Sequence, residues 1–263
     1  MMITHDDGAV VLPSAPKCKQ LLALFLLNVN ALVTADACVE ELWHEAPPKS
    51  ALSTLQTYVL QIRRSLRSVP SSSSAHAEPL ITRNRGYLFT ADPEDVDHLR
   101  FEHITAEARQ AVRKGDDELA SRRFIEALGL WRGPVAADVR PGPITAAHRV
   151  GLEEARLSAL EQRIEADLRL GRHRALLDEL DDLVVQYPEH ENICAQYMIA
   201  LSRSGQVDRA LEVYRELRDR LVGKLGLEPS QALHELSVQL HNPDLAPYAQ
   251  YRHSPGRATV DSG

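Results

Sequence analysis

Apolar residues recur at helical spacing along most of this chain, and the exceptions fall in one short stretch near residue 80. Residues 17–29 crowd Leu21, Leu22, Leu24, Phe25, Leu26 and Leu27 together, which predicts an apolar helix at the centre of a small core. Thr34 reads as an N-cap with Asp36 in the first turn behind it. A second helix over 35–43 is expected to bury Val39, Leu42 and Trp43. Pro47-Pro48 separates it from a third helix. There, over 50–67, Leu52, Leu55, Val59, Ile62 and Leu66 return at steps of three and four and make one face. The opposite surface presents Ser53, Gln56, Thr57, Leu60, Arg63 and Arg64, with Tyr58 and Gln61 at the flanks. Ser71 to Ser74 is a low-complexity loop, and residues 80–90 form a β-hairpin with Gly86 at its turn or bulge.

Beyond residue 97 the pattern holds no convincing strand. Helices fit 99–114, 117–131, 145–170, 174–186, 193–204, 207–225 and 230–240. Gly171 and Gly205 lie 34 residues apart, the tetratricopeptide period. Five, nine and twelve residues beyond each glycine stand Leu176, Leu180 and Leu183, then Ala210, Tyr214 and Leu217. Gly115 gives Ala120, Phe124 and Ala127 at the same offsets. The reading favoured over a plain helical bundle is an irregular, repeat-like stack, which buries a shared core and offers a concave face to partners. Residues 242–263, with Pro243, Pro247 and Pro255 among several Gly and Ser, read as a disordered tail.

A length of 263 residues fits two domains better than one. We place them at 1–92 and 97–241. The fold class is mainly α: a small three-helix domain with a hairpin, then an all-α domain. The net charge of -7 excludes a protein that coats nucleic acid uniformly. It conceals a division, however. From Lys49 to Leu88 the basic residues are Lys49, Arg63, Arg64, Arg67, Arg83 and Arg85 against the single acid Glu78, whereas the chain from Asp92 onward carries 30 acids against 22 Lys plus Arg. Cys18, Cys38 and Cys194 are too few and too scattered for a disulfide framework and read as small buried apolar residues. The first residues lack the pattern of a signal peptide, and the run Leu21 to Leu27 is far too short to span a bilayer. No membrane association and a reducing cytoplasm are expected.

No catalytic constellation is legible: the chain contains no GxSxG, HExxH, Walker loop or Gly-rich phosphate fingerprint, and its eleven histidines are scattered. An enzyme, a cofactor and a metal are not expected. Acid pairs such as Glu153-Glu154 read as solvated helix faces. An isolated Arg63-Arg64-x-x-Arg67 would also be a solvated helix end. Its setting gives it another meaning. A capped helix, a proline break, an amphipathic helix and a basic hairpin follow one another in the order of a winged helix-turn-helix. That arrangement places one helix in the major groove of DNA and one wing on the backbone beside it. Ser53, Gln56, Thr57, Arg63 and Arg64 are the candidates for base edges, with Gln56 suited to adenine and an arginine to guanine. Lys49, Arg67, Arg83 and Arg85 are the candidates for phosphates. Trp43, Tyr58 and Tyr87 are expected to pack.

On these segments the chain resembles the Streptomyces antibiotic regulatory proteins. Members of that family join an OmpR-type winged helix to a bacterial transcriptional activation domain. The matching pieces are Ala31-Leu-Val-Thr-Ala-Asp36, Glu41-Leu-Trp43, Leu55-Gln-Thr-Tyr-Val59, Ile62-Arg-Arg-Ser-Leu66 and Thr82-Arg-Asn-Arg-Gly-Tyr-Leu88. In the second domain they are Ala127-Leu-Gly-Leu-Trp-Arg-Gly-Pro134, Arg163-Ile-Glu-Ala-Asp-Leu168, Ala200-Leu-Ser-Arg-Ser-Gly205 and Tyr214-Arg-Glu-Leu-Arg218. The resemblance implies a transcriptional activator of one secondary-metabolite gene cluster. It would bind direct repeats in promoter DNA as two protomers about one helical turn apart. Its helical domain would contact the second protomer and RNA polymerase holoenzyme. The family opens with extra β-strands; only 16 residues precede Lys17 here, so a truncated N-terminal sheet is expected. Leu60 and Gln61 fall where polar and basic residues are expected. The alternative reading is a helical-repeat interaction module, or a scaffold sequestering another regulator, with a non-functional winged helix.

Overall fold

A computed structural model describes residue 13 and residues 15–67 and 79–241. The expected truncated sheet before Pro13, the Ser71–Ser74 loop and the tail 242–263 lie outside the described residues. The chain divides into two compact units, residues 1–110 with 122–160 and residues 111–121 with 161–263.

The first unit begins with α1 (Pro16–Leu27), whose Leu21, Leu22, Leu24 and Phe25 are fully buried. A three-residue strand, β1 (Leu32–Thr34), follows and leads directly into α2 (Ala35–Trp43). Thr34 caps that helix as expected, its hydroxyl oxygen accepting the Ala37 N–H at 3.1 Å. The buried residues of α2 are Cys38, Glu41 and Leu42, while Val39 and Trp43 are only half-buried. The third helix, α3 (Ala51–Arg67), buries Ala51, Leu55, Val59 and Ile62. Leu52 departs from the expected stripe and is 58% exposed. At about 100° per residue Leu52 and Ala51 lie some 50° to either side of the line of the later apolar positions, and it is Ala51 that turns to the core.

Strands β2 (Leu80–Arg83) and β3 (Gly86–Phe89) form the expected hairpin. They join β1 in an antiparallel sheet of order β1-β3-β2, with Val33 opposite Tyr87 and Thr82 also opposite Tyr87. Gly86 is not the turn residue. Asn84 and Arg85 form the turn, with φ of 42° and 60°, the double left-handed conformation that suits a two-residue hairpin to the twist of its strands. Gly86 meets a different demand: a Cβ there would stand 2.5 Å from the Val33 carbonyl oxygen. The start of β3 leaves no room for a side chain against β1.

The remaining helices are α4 (Asp97–Arg113), α5 (Asp117–Gly129), α6 (Pro143–Arg169), α7 (Leu177–Gln186), α8 (Glu191–Arg203), α9 (Val207–Leu225) and α10 (Gln231–His241). No strand occurs among the described residues after 89. In the second unit the three glycines singled out by their spacing share one geometry. Gly115, Gly171 and Gly205 have φ of 75°, 77° and 84°. In each case the next residue donates its N–H to a carbonyl five positions back: Asp116 to Ala111, Arg172 to Asp167 and Gln206 to Leu201. That closure satisfies the carbonyls left free at a helix end and requires a left-handed residue. Ala120, Phe124, Leu180, Ala210 and Leu217 at the repeat offsets are fully buried; Tyr214 is only half-buried and hydrogen-bonds His234 at 2.9 Å.

The three cysteines are free and buried. Burial pushes the Cys38 thiol up to about 12, with Glu41 adding to the shift, and the Cys194 thiol up to about 11. Neither is a thiolate near neutral pH, which suits a packing role.

Candidate nucleic-acid interface

The exposed face of α3 carries Ser53, Gln56, Thr57, Leu60, Arg64 and Arg67, diametrically opposite the buried stripe. Four of the five residues expected at base edges therefore share one solvent-facing surface. Two have their hydroxyl hydrogens engaged within the helix: Ser53 donates to the Ser50 carbonyl at 2.9 Å and Thr57 to the Ser53 carbonyl at 3.0 Å. Their oxygens keep lone pairs for a donor on a ligand. Gln56 and Arg64 stand on the same face, and the chain carries no acid between Glu45 and Glu78.

Arg63 stands apart from this set. It was expected to read bases; instead its guanidinium turns to the hairpin. Its Nε donates to the Leu80 carbonyl at 2.9 Å and its terminal nitrogen to the Thr82 hydroxyl at 2.9 Å. The reason is angular: position 63 lies about 80° from the middle of the exposed face, on the flank beside β2. Arg63 thus fixes the distance between α3 and the wing. On the other flank Gln61 is also engaged, accepting the Cys18 thiol at 2.9 Å.

Arg83 ends β2, Arg85 sits in the turn, and both are exposed. Lys49 is exposed just before α3. The turn is fastened from below, because the Arg85 carbonyl accepts the first N–H of α2 from Ala35 at 3.0 Å. Arg85 occupies a left-handed conformation that costs a non-glycine residue about 1 kcal/mol. The aromatic residues pack: Tyr87 is 7% exposed with its ring 5.8 Å from Phe25, and Trp43 stacks on Tyr58 at 6.4 Å.

Glu41 is a further determinant that sequence patterning did not bring out. Its side chain is 1% exposed, yet the carboxylate is fully engaged. It accepts the backbone N–H groups of Gly142 at 2.8 Å, Ile144 at 2.9 Å and Thr145 at 3.1 Å. These are the free donors of the first turn of α6, since Pro143 has none. A carboxylate at this end also opposes the helix dipole. Within the first unit, the helix that follows β1 is therefore pinned to the start of α6. The fit is close: a Cβ on residue 142 would fall 2.1 Å from the Glu41 carbonyl oxygen.

Residues 96–241 match the family model of the bacterial transcriptional activator domain. The chain is 44% identical over 237 residues to Regulatory protein DnrI of Streptomyces peucetius, covering 89% of this chain and 87% of that one. It is 31% identical to Transcriptional regulator RedD of Streptomyces coelicolor, covering 90% and 66%. It is 33% identical to Regulatory protein AfsR of Streptomyces griseus over 90% of this chain, though it spans only 23% of that much longer protein. A solved structure of Mycobacterium tuberculosis EmbR in complex with a low-affinity phosphopeptide matches with a TM-score of 0.83 and 29% identity, over 90% of this chain and 62% of that chain. No described helix is long and apolar enough to cross a membrane. With a winged helix-turn-helix followed by an activator domain, and with regulators of this kind as its relatives, the chain belongs to the Streptomyces antibiotic regulatory protein family of transcriptional activators.

Proposed function

We propose that the chain activates a secondary-metabolite gene cluster by binding direct repeats in promoter DNA and recruiting RNA polymerase holoenzyme. Residues 1–92 are the DNA-binding part and residues 97–241 the activating part, which also meets a second protomer on the DNA. The protein acts in the cytoplasm, at the chromosome. The observation that carries this reading is the pairing of one exposed, acid-free face on α3 with a basic hairpin, the two tied by Arg63. Gln56, Thr57, Ser53 and Arg64 face base edges. Lys49, Arg67, Arg83 and Arg85 face phosphates. Arg63 positions the wing and touches no base.

Footprinting across the promoters neighbouring the gene, over a salt series, tests the proposal. Protection of paired direct repeats is expected, with affinity falling steeply between about 50 and 200 mM salt. Arg83→Ala should weaken binding on all sequences and lower the salt slope by about one unit. Arg64→Ala should cost about 1–3 kcal/mol and relax the preference at one base pair. Unchanged slope and unchanged preference in these variants would contradict the assigned contacts.

The wing turn allows a second, cleaner separation. Arg85→Gly removes a positive charge at a site where glycine relieves backbone strain. The variant is expected to be as stable as the parent or more so, by up to about 1 kcal/mol. Its DNA affinity should nevertheless fall. Thermal unfolding and a binding isotherm on the same sample check both halves, and equal affinity would remove Arg85 from the interface.

A further inference from the structure

Leu60 is 51% exposed and lies close to the outward line of α3. At about 100° per residue it stands some 20° from Ser53 and about 145° from the middle of the buried stripe. Gln56 and Thr57 are one turn before it and Arg64 one turn after. The residues beside it on either flank, Gln61 and Arg63, are engaged with Cys18 and with β2. The middle of the candidate reading face is therefore an isobutyl group, framed by polar side chains.

We infer that Leu60 reads the 5-methyl group of thymine in the major groove, an assignment that rests on the DNA-binding reading of α3. A leucine side chain has no donor or acceptor. Against the polar edge of guanine, adenine or cytosine it would strip water from hydrogen-bonding groups and return nothing. The major groove offers one apolar feature, the thymine methyl, which alanine, threonine methyl and phenylalanine also contact in protein–DNA complexes. Because Leu60 is near the outward line and not at a flank, its neighbour in a docked complex is a base edge in preference to a phosphate. The polar residues one turn away on each side hydrogen-bond the adjoining base pairs. Leu60 thus selects a thymine within the stretch read by Gln56 and Arg64, and it discriminates against cytosine by the loss of methyl contact and by uncompensated burial of the cytosine amino group.

The test starts from a duplex enriched by the full-length protein from a random-sequence library. Each thymine is then replaced by deoxyuridine, which removes the methyl and leaves every hydrogen-bonding group in place. With the parent protein, one or two replacements per half-site should weaken binding about three- to tenfold. With Leu60→Ala, whose side chain ends short of a methyl that the leucine δ carbons reach from the same backbone position, the difference between thymine and deoxyuridine duplexes should shrink to about twofold or less, both near the level of the parent on deoxyuridine. The inference is overturned if no replacement changes the affinity of the parent protein, or if the same replacement weakens Leu60→Ala equally. The deoxyuridine series on the parent needs no variant to fold. An enriched duplex that is indifferent to methyl removal would sink this inference alone. Failure to enrich any duplex would sink the DNA-binding reading as well, and would favour an interaction surface at Leu52 and Leu60.

Discussion

Glu41→Ala is expected to lower the unfolding free energy of the first unit by about 3–4 kcal/mol, or roughly 10 °C in Tm. Three backbone donors lose a charged acceptor at once, and no water reaches a site whose carboxylate is 1% exposed. Glu41→Gln should fall between alanine and the parent. An amide keeps one acceptor oxygen, which can serve Ile144 and Thr145 as Oε2 does now, but its NH2 group then points at the Gly142 N–H. Two donors facing one another in a buried site cost more than a missing bond. Gly142→Ala attacks the same contact from the other side, because its Cβ cannot coexist with the Glu41 carbonyl. Thermal unfolding of the three variants, with limited proteolysis near residue 142, reads the effect. A Glu41→Ala protein melting within 2–3 °C of the parent would mean that the contact adds less than about 1 kcal/mol.

Asp167→Ala is expected to cost about 3–5 kcal/mol in the second unit. Asp167 and Arg163 are buried, with side chains 7% and 9% exposed, and Arg163 donates to Asp167 at 3.3 Å. The same carboxylate accepts the Ser121 hydroxyl at 2.7 Å and Arg172 at 3.0 Å. Arg163 also bonds Glu179, so removing Asp167 leaves the guanidinium with one partner of its two. The loss comes from the uncompensated charge more than from the bond itself, and that gives the prediction a second arm. Replacing the pair together, as Arg163→Met with Asp167→Leu, should recover part of the stability: both buried charges go, Arg172 keeps Glu118 and the half-exposed Glu179 turns to water, while the buried Ser121 hydroxyl alone loses its acceptor. Urea unfolding of the single and double variants decides it. A double variant as unstable as the single one would show that the network holds the packing in a way its charges do not explain.

Much of the fold was legible because it is written locally. The run Leu55, Val59, Ile62 marks α3 through its own periodicity, and the Thr34 cap needs only the residues that follow it. The glycines at 115, 171 and 205 are legible for the same reason: a helix end that needs a left-handed residue advertises it. The less legible features depend on distant neighbours. β1 is three residues long, too short to alternate, and exists because β3 pairs with it. Gly86 looks like a turn residue until Val33 is placed beside it. Glu41 reads as a surface acid on an amphipathic helix, since nothing within a hundred residues signals that the start of α6 will arrive over it. On α3, the composition of the exposed face is legible in the sequence and the bonding of Arg63 to the hairpin is not. Which side of a helix an arginine leaves from depends on a few tens of degrees, and its partners lie 17 and 19 residues away on the hairpin.

The two bonds from Arg63 also bear on how such a regulator is re-engineered. A graft of this chain's residues 51–67 into a relative carries Arg63 away from its acceptors, one of them the hydroxyl of Thr82. If the recipient has an apolar residue at that position, the transplanted helix arrives with a guanidinium that has lost a partner and a wing that has lost its spacer. The transferable cassette is thus the helix together with the strand that receives Arg63, residues 51–83, and a chimera cut between them should inherit the donor's preferred sequence only in diluted form.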